Sequence, residues 1–503
     1  MRQAGRAGGE VMGFPGKDYP TPLTGGEGVR LQHMIRKNEP DRDRSKKEEI
    51  MKRFLTITAS ALILAGAAFA NESSVDQDGS DNDATVNQTG GNEGSATINQ
   101  GTAEPGYTTT NSKATITQSE DGGPSSPGFS VAANDATINQ TGDNMLATIK
   151  QNAYNGLGET NTAVINQGSD NGALTSGGVY SQEASINQNG QGNLAVADQG
   201  ITNSFPPPTR SGQEIAVKQQ GDFNESTSDQ RGNFSVATVD QIGDYNVSTL
   251  NQIGGSNFAD VYQKFDGNGS LVQQNGNFNS AYVTQIGDVN DSVVTQDGGS
   301  NYSEADVRQD GDGNSSDIWQ TDGTGTGPVA PRSTNFAEVD QTGNWNTSDI
   351  DQGSSDDGVS EGQNTAEVVQ SGNWNGSGIT QFADNGYARV VQSGDFNGSG
   401  IMQTGDENDA RVTQGGTFNG SLVNQEGLSN GASVNQSGFG NLSLISQPGE
   451  TNDADVKQAS DWNVSFVTQS GTDNQALVKQ MTTSGNFSTI TQAGTMNMAT
   501  VSQ

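Results

Sequence analysis

The chain has 503 residues, of which 68 are glycine, 30% hydrophobic, 6% aromatic and none cysteine, and it carries a formal net charge of −35. So little apolar material excludes a set of ordinary globular cores. The acidity excludes a basic stripe for nucleic acid, and the lack of cysteine excludes a disulfide framework and thiolate chemistry. Composition alone would point to disorder, but the placement of the few apolar residues points elsewhere.

In chain order, residues 1–50 are densely charged, hold the single histidine, His33, and contain no repeat. A second beginning stands at Met51, where Lys52 and Arg53 precede an apolar run from Phe54 to Ala67, closed by Ala68-Phe69-Ala70. A basic start, an apolar stretch and a small-x-small site make residues 51–70 a signal peptide with Asn71 as the first mature residue. The run is short of the roughly 20 residues of a membrane span. Met51 then reads as the true start and residues 1–50 as a non-native, disordered extension, which N-terminal sequencing of the secreted protein decides. Residues 1–70 hold 12 of the 24 Lys and Arg and 8 of the 59 Asp and Glu, so the mature chain keeps 12 against 51, a net of −39 without histidine. The usual general base near neutral pH is therefore missing. No enzyme, cofactor or small-molecule substrate is expected.

Repeats begin almost at once with Ser73, Val75 and Gln77, and Gln77 to Gln88 is a full eleven-residue step. Over residues 71–218 the spacing is irregular, with Pro/Gly/Ser insertions near Pro105, Pro124, Gly156, Ala173 and Pro206 that read as loops. Residues 219–503 form the regular array, with longer units at Gly323 to Arg332 and Ser354 to Gln363. Its clearest part returns a glutamine every eleven residues, at Gln370, Gln381, Gln392, Gln403, Gln414, Gln425, Gln436, Gln447, Gln458, Gln469 and Gln480. Each unit follows the form Q-x-G-x-x-N-x-[S/A]-x-[V/I]-x-Q. The asparagines are Asn375, Asn397, Asn408, Asn419, Asn430, Asn441, Asn452, Asn463 and Asn474; the apolar positions are Ile379, Val390, Ile401, Val412, Val423, Val434, Ile445, Val456, Val467 and Val478.

Asn, Ser or Ala, Val or Ile, and Gln occupy every second position, which places all four on one face of a strand. Gly, Asn and Asp in the Q-x-G-x-x-N step suit a tight turn with positive φ. Aromatics at Trp374, Phe396, Phe418 and Trp462, with Ser377, Ser399, Ser421 and Ser465 after them, alternate with units carrying Ala388, Ala410, Ala432, Ala454 and Ala476. The true repeat is therefore 22 residues with two kinds of strand. The expected fold is all-β, a solenoid of about 17 stacked two-strand rungs with two facing parallel sheets, about 80 Å long at about 4.8 Å per rung. Ordering eleven residues costs at least about 10 kcal/mol, and one buried Val or Ile returns about 1.5–3 kcal/mol. A single rung cannot fold alone. The stack must supply the rest, through backbone bonds and ladders of side-chain amides.

The array ends on Ala499-Thr500-Val501-Ser502-Gln503, a finished strand, and begins within three residues of the cleavage site. Open strand edges at both ends template another chain. Outward Asp406, Asp409, Asp453 and Asp455 read as charges that slow premature aggregation. Asp310, Asp312 and Asn314 alternate oxygens as a calcium loop does, but no acidic residue follows at the twelfth position, so a plain turn is the stronger reading.

The unit resembles the curlin repeat of the curli fibre subunits, the functional amyloid of bacterial biofilms, over most of residues 73–503. The resemblance implies secretion through an outer-membrane apparatus of a Gram-negative-type bacterium. It also implies polymerisation of the chain with itself, started by a nucleator subunit, into adhesive, pilus-like extracellular fibres. It assigns stacking to Gln392, Asn397, Gln403, Asn408, Gln414, Asn419 and their equivalents. The competing reading is a monomeric β-solenoid, either an adhesin stalk or an ice-binding protein. The mixed Thr, Asp, Arg, Asn and Gly of the outward positions argue against an ice-binding face.

Overall fold

Alternating burial, repeated strand by strand, organises the structure. In the computed structural model, described here for residues 71–503 apart from short stretches at 90–93, 102–108, 121–132, 143, 154–159, 170–178, 202–209, 322–333, 354–362 and 383, every regular element is a strand. The signal-peptide and extension readings, and most of the expected loop insertions, fall outside the described residues.

Of the 36 described strands, 34 form two 17-stranded parallel sheets, and the short Gly79–Ser80 and Thr109–Thr110 pair with each other apart from them. Sheet I starts with Glu72–Gln77, Ser95–Gln100 and Asn134–Thr141 and ends with Phe487–Gln492; sheet II starts with Asp83–Thr89 and Lys113–Glu120 and ends with Met498–Ser502. Consecutive strands of the chain alternate between the sheets, and each pairs with the strand one rung before and one rung after it. The first and last described strands of each sheet pair with one neighbour only. This is the expected solenoid of facing sheets.

Register is the same throughout. Ile379 lies beside Ile401 and Gln381 beside Gln403 in sheet I, and Val390 beside Val412 in sheet II. It persists in the irregular first part, where Ile98 lies beside Ile138 and Gln100 beside Gln140. A slip of one residue would turn every Val, Ile and Gln to solvent, and this holds the register wherever one face is buried. The shift between Gln274 and Gly276 absorbs the two extra residues of the following unit before pairing resumes at Gly276 and Ser300.

The core between the sheets is one narrow column of aliphatic side chains. All ten apolar positions named above, from Ile379 to Val478, lie in it at 2% exposure or less. Sheet II faces it with alanine at most rungs, Ala237 to Ala476, while sheet I has serine from Ser226 onward and alanine in the four rungs before that, at Ala96, Ala136, Ala163 and Ala195.

Candidate functional site

The chemistry of this molecule is concentrated in the inward amides. In sheet I each glutamine Nε2 donates to the Oε1 of the next, from Gln352 to Gln381, Gln381 to Gln403, Gln403 to Gln425, Gln425 to Gln447 and Gln447 to Gln469, at 2.8–2.9 Å. Sheet II has the same column, from Gln370 through Gln392, Gln414, Gln436 and Gln458 to Gln480, each step 2.8 Å. Every step in both columns donates towards the C-terminal end. The columns extend without a break from Gln77 and Gln88 to Gln492 and Gln503.

The same amide also ties the two sheets together. Gln392 Nε2 in sheet II reaches the carbonyl of Gly376 in sheet I at 3.0 Å, and Gln403 Nε2 in sheet I reaches that of Tyr387 in sheet II at 3.0 Å. A buried amide with both hydrogens donated and its oxygen bonded contributes stability, whereas an unpaired one costs about 1–3 kcal/mol.

Asparagines do a related job at the turns. Asn375 Oδ1 accepts the backbone N–H of Asn397 one rung on at 3.0 Å, and Asn375 Nδ2 donates to the carbonyl of Gly394 at 2.7 Å. Asn397, Asn419, Asn441 and Asn463 continue this column in sheet I, and Asn408, Asn430, Asn452 and Asn474 form its counterpart in sheet II. The sheet II column is less regular, with Ser235, Ser303 and Gly386 at the same place in other rungs.

Glycine in the turn is a matter of clearance. At Gly372 (φ +106°) an added Cβ would stand 2.1 Å from the carbonyl oxygen of Gly394, and at Gly394 (φ +109°) equally far from that of Gly416. The residue just before the sheet I asparagine also has positive φ, and here the sequence misleads. In five rungs that place is held not by Gly, Asn or Asp but by Trp345, Trp374, Phe396, Phe418 and Trp462, at φ 57–59°. The left-handed conformation costs about 1–2 kcal/mol per residue. Ring stacking offsets part of it, with centroids 5.5 Å apart for Trp345 and Trp374 and 4.9 Å for Phe396 and Phe418. Where the position is glycine, at Gly313 and Gly440, the indole of the next rung, Trp345 or Trp462, lies over the space a Cβ would fill.

The serine column is the weak point of the core. Ser226, Ser248, Ser270, Ser292, Ser316, Ser348, Ser443, Ser465 and Ser488 bury a hydroxyl that has no hydrogen-bond partner among the described residues. Alanine fills this position in the early rungs without any other change of pattern. Ser292→Ala and Ser316→Ala are therefore expected to raise stability by about 1 kcal/mol each, read as a higher denaturation midpoint. A clear loss at both sites would refute the account.

Resolved carboxylate shifts all run upward. Asp351, outward on sheet I, is pushed to about 6 by burial first and then by the charges of Asp349 and Asp317. Asp453 is raised by burial and by Asp455, Asp306 by burial and by Glu304 and Asp340, and Asp291 by burial. Because the folded pKa of Asp351 lies above its unfolded value, between those two values the folded chain holds a proton the unfolded chain has released. Stability must rise as pH falls from 7 through 6, with the gain complete below the unfolded value. The thermal midpoint is expected to be higher at pH 5 than at pH 7, and Asp351→Asn to flatten that slope. An equal slope in the variant would contradict the assignment.

Among the described residues no group of three or more acidic side chains or histidines is placed to hold a metal ion. Asn314, read above beside Asp310 and Asp312, is fully buried and spends its amide on the carbonyl of Gly343 and the N–H of Asn346. The open cleft beside Asn152, Asn187, Asn189 and Lys218 is polar and holds no nucleophile next to a base.

The model of the curlin associated repeat matches residues 68–90, 266–298, 363–394, 383–416, 405–438, 427–459 and 449–481. No curated protein matches the chain at a significant level. The matched units carry the glutamine and asparagine columns just described. Over these stretches the chain carries curlin associated repeats.

Proposed function

We propose that this chain is a secreted structural subunit that adds to copies of itself end to end, extending both sheets into extracellular cross-β fibres for adhesion and biofilm matrix. The observation that carries the reading is the indifference of the rung interface to the chain connecting it. Gln309 meets Gln341 at 2.9 Å although 32 residues separate them, whereas Gln392 meets Gln414 at 2.8 Å across 22. Register is set by the faces of the rungs, not by the length of the link. A rung belonging to another copy presents the same donors on one side and the same acceptors on the other. Each added rung gains two glutamine steps, two turn clamps and two rows of backbone bonds, which favours growth along a single axis.

Stacking through Gln370 to Gln480 and Asn375 to Asn474 is the role proposed for those residues. A signal peptide at 51–70, an outer-membrane secretion apparatus, a nucleator subunit and a Gram-negative-type cell surface complete the proposal, on the strength of the family. Neither nucleic acid nor a small-molecule substrate has a part in it. The test is to incubate the purified mature chain with an amyloid dye while following it by electron microscopy and fibre diffraction. Dye-positive fibres with a meridional spacing of about 4.8 Å are expected. A dye-negative, monodisperse monomer throughout would overturn the proposal.

A further inference from the structure

The outward side of sheet I changes character along its length. Six successive strands, Gly376–Phe382, Gly398–Gln403, Gly420–Gln425, Leu442–Gln447, Val464–Gln469 and Phe487–Gln492, contain no charged residue, in a chain of net charge −35. The facing strands of sheet II carry Arg389, Asp409, Arg411, Asp453, Asp455, Lys457 and Lys479 on their outward side. Within the uncharged face the first strands are flat and the later ones ridged. Gly376, Gly378, Gly398 and Gly400 form a floor, followed by Leu442, Leu444, Val464 and Phe466, with Phe466 and Phe487 packed edge to face at 5.7 Å. Leu442, Leu444 and Phe487 are 42%, 37% and 60% exposed.

At Gly378 and Gly398 nothing in the fold itself demands glycine, whereas a Cβ at Gly400 would stand 3.0 Å from Leu422 Cδ1. None of these glycines has positive φ, and a Cβ at Gly378 or Gly398 would meet nothing within 4 Å. Glycine weakens a strand, and in a strand interior it marks close approach by another backbone. The turn glycines satisfy that rule within the molecule, whereas these face outward.

We propose that this face pairs with the same face of a second copy, the two stacks running antiparallel about a two-fold axis along the strand Gly420–Gln425. That operation sets Gly400 opposite Leu444, Gly398 opposite Leu442, Gly378 opposite Phe466 and Gly376 opposite Val464, so each ridge enters the partner's floor. Leu422 meets Leu422 at the axis. The interface is isologous and closes on itself. Charge selects the occupant, since two copies this acidic repel through their other faces, whereas this one carries charge only at its margin, where Glu426, bonded to Asn424 at 2.8 Å, lies just past the end of the axis strand. The axis pairs five of these strands with one another, the sixth lying opposite Thr347–Gly353 of the second copy. Five strands about 4.8 Å apart and six residues of about 3.3 Å cover about 24 by 20 Å, or about 950 Å² over both copies. That is near the lower limit for a specific interface, so a single pair is weak and concentration-dependent.

Pairing does not require end-to-end growth, and the test separates the two. The chain has no cysteine, so Asn424→Cys, beside the axis, and Asn435→Cys, outward on sheet II, each carry one thiol. With a bis-maleimide spanning about 10 Å, the usual separation of packed sheets, the first is expected to give covalent dimers and the second none. End-to-end neighbours hold the same residue about 80 Å apart, beyond the linker. Adding Leu444→Asp or Gly378→Thr to Asn424→Cys should cut dimer yield about tenfold. Gly378→Thr adds a strand-favouring residue, so its loss of dimer cannot come from unfolding. No dimer from Asn424→Cys, equal yield from Asn435→Cys, or yield unchanged by both second substitutions would overturn the proposal, the first leaving the face to a different partner.

Discussion

Gln403→Glu is expected to destabilise the array by about 3–5 kcal/mol at pH 7 and to recover much of that at pH 4. The wild-type side chain is fully buried, accepts from Gln381, and donates to Gln425 Oε1 at 2.8 Å and to the Tyr387 carbonyl at 3.0 Å. A carboxylate keeps the bond from Gln381 but turns an oxygen towards two other oxygens, with a buried charge between them. Burial holds its folded pKa above the ordinary glutamate value. The deficit is then full above the folded pKa and shrinks as pH falls towards the unfolded one, because the protonated acid donates one of the two lost bonds. Gln403→Ala removes the same bonds without a charge, so its deficit relative to wild type should not vary with pH. Denaturation midpoints of the three proteins at both pH values decide the matter. A Glu deficit that does not vary with pH would rule out the ladder account.

Gly394→Ala should cost at least about 3 kcal/mol and lower the yield of folded protein, while Gly378→Ala, sixteen residues away, should be neutral or stabilising by up to about 1 kcal/mol. At Gly394 φ is +109° and the new methyl would stand 2.1 Å from the carbonyl oxygen of Gly416, which also accepts the amide of Asn397 at 3.0 Å. Relief requires opening one rung from the next, which breaks that clamp and strains the backbone bonds beside it. At Gly378 an added Cβ would meet nothing within 4 Å. The same substitution on the same repeat thus separates stacking clearance from strand propensity. Comparable losses at both sites would contradict the distinction.

Much of the fold was legible in the residues. The two-residue alternation of Asn408, Ala410, Val412 and Gln414 identifies an inward face, and the Ser and Ala units distinguish two sheets. The regular array makes both plain because period and pattern coincide. In residues 71–218 they do not, since inserted segments alter the spacing and sheet I carries Ala96 and Ala136 where later rungs have serine. Yet Gln100 still meets Gln140 across 40 residues at 2.8 Å, because burial selects the register regardless of what the chain does between strands.

What the sequence alone determined about this protein is the periodicity, the inward set and the likeness to curlin repeats, since each follows from which residue types recur at which spacing. Three matters were decided only by the tertiary structure. The common direction of the glutamine columns and their reach to the opposite backbone depend on where two sheets lie relative to one another. Positive φ at Trp374 and Phe396 runs against the preference of those residues and is held by stacked rings and the asparagine clamp. Finally, the glycines divide into two kinds, some leaving room for a carbonyl of the next rung and others leaving a flat outer face. A repeat written in one dimension does not distinguish them, because the distinction lies in what stands one rung away.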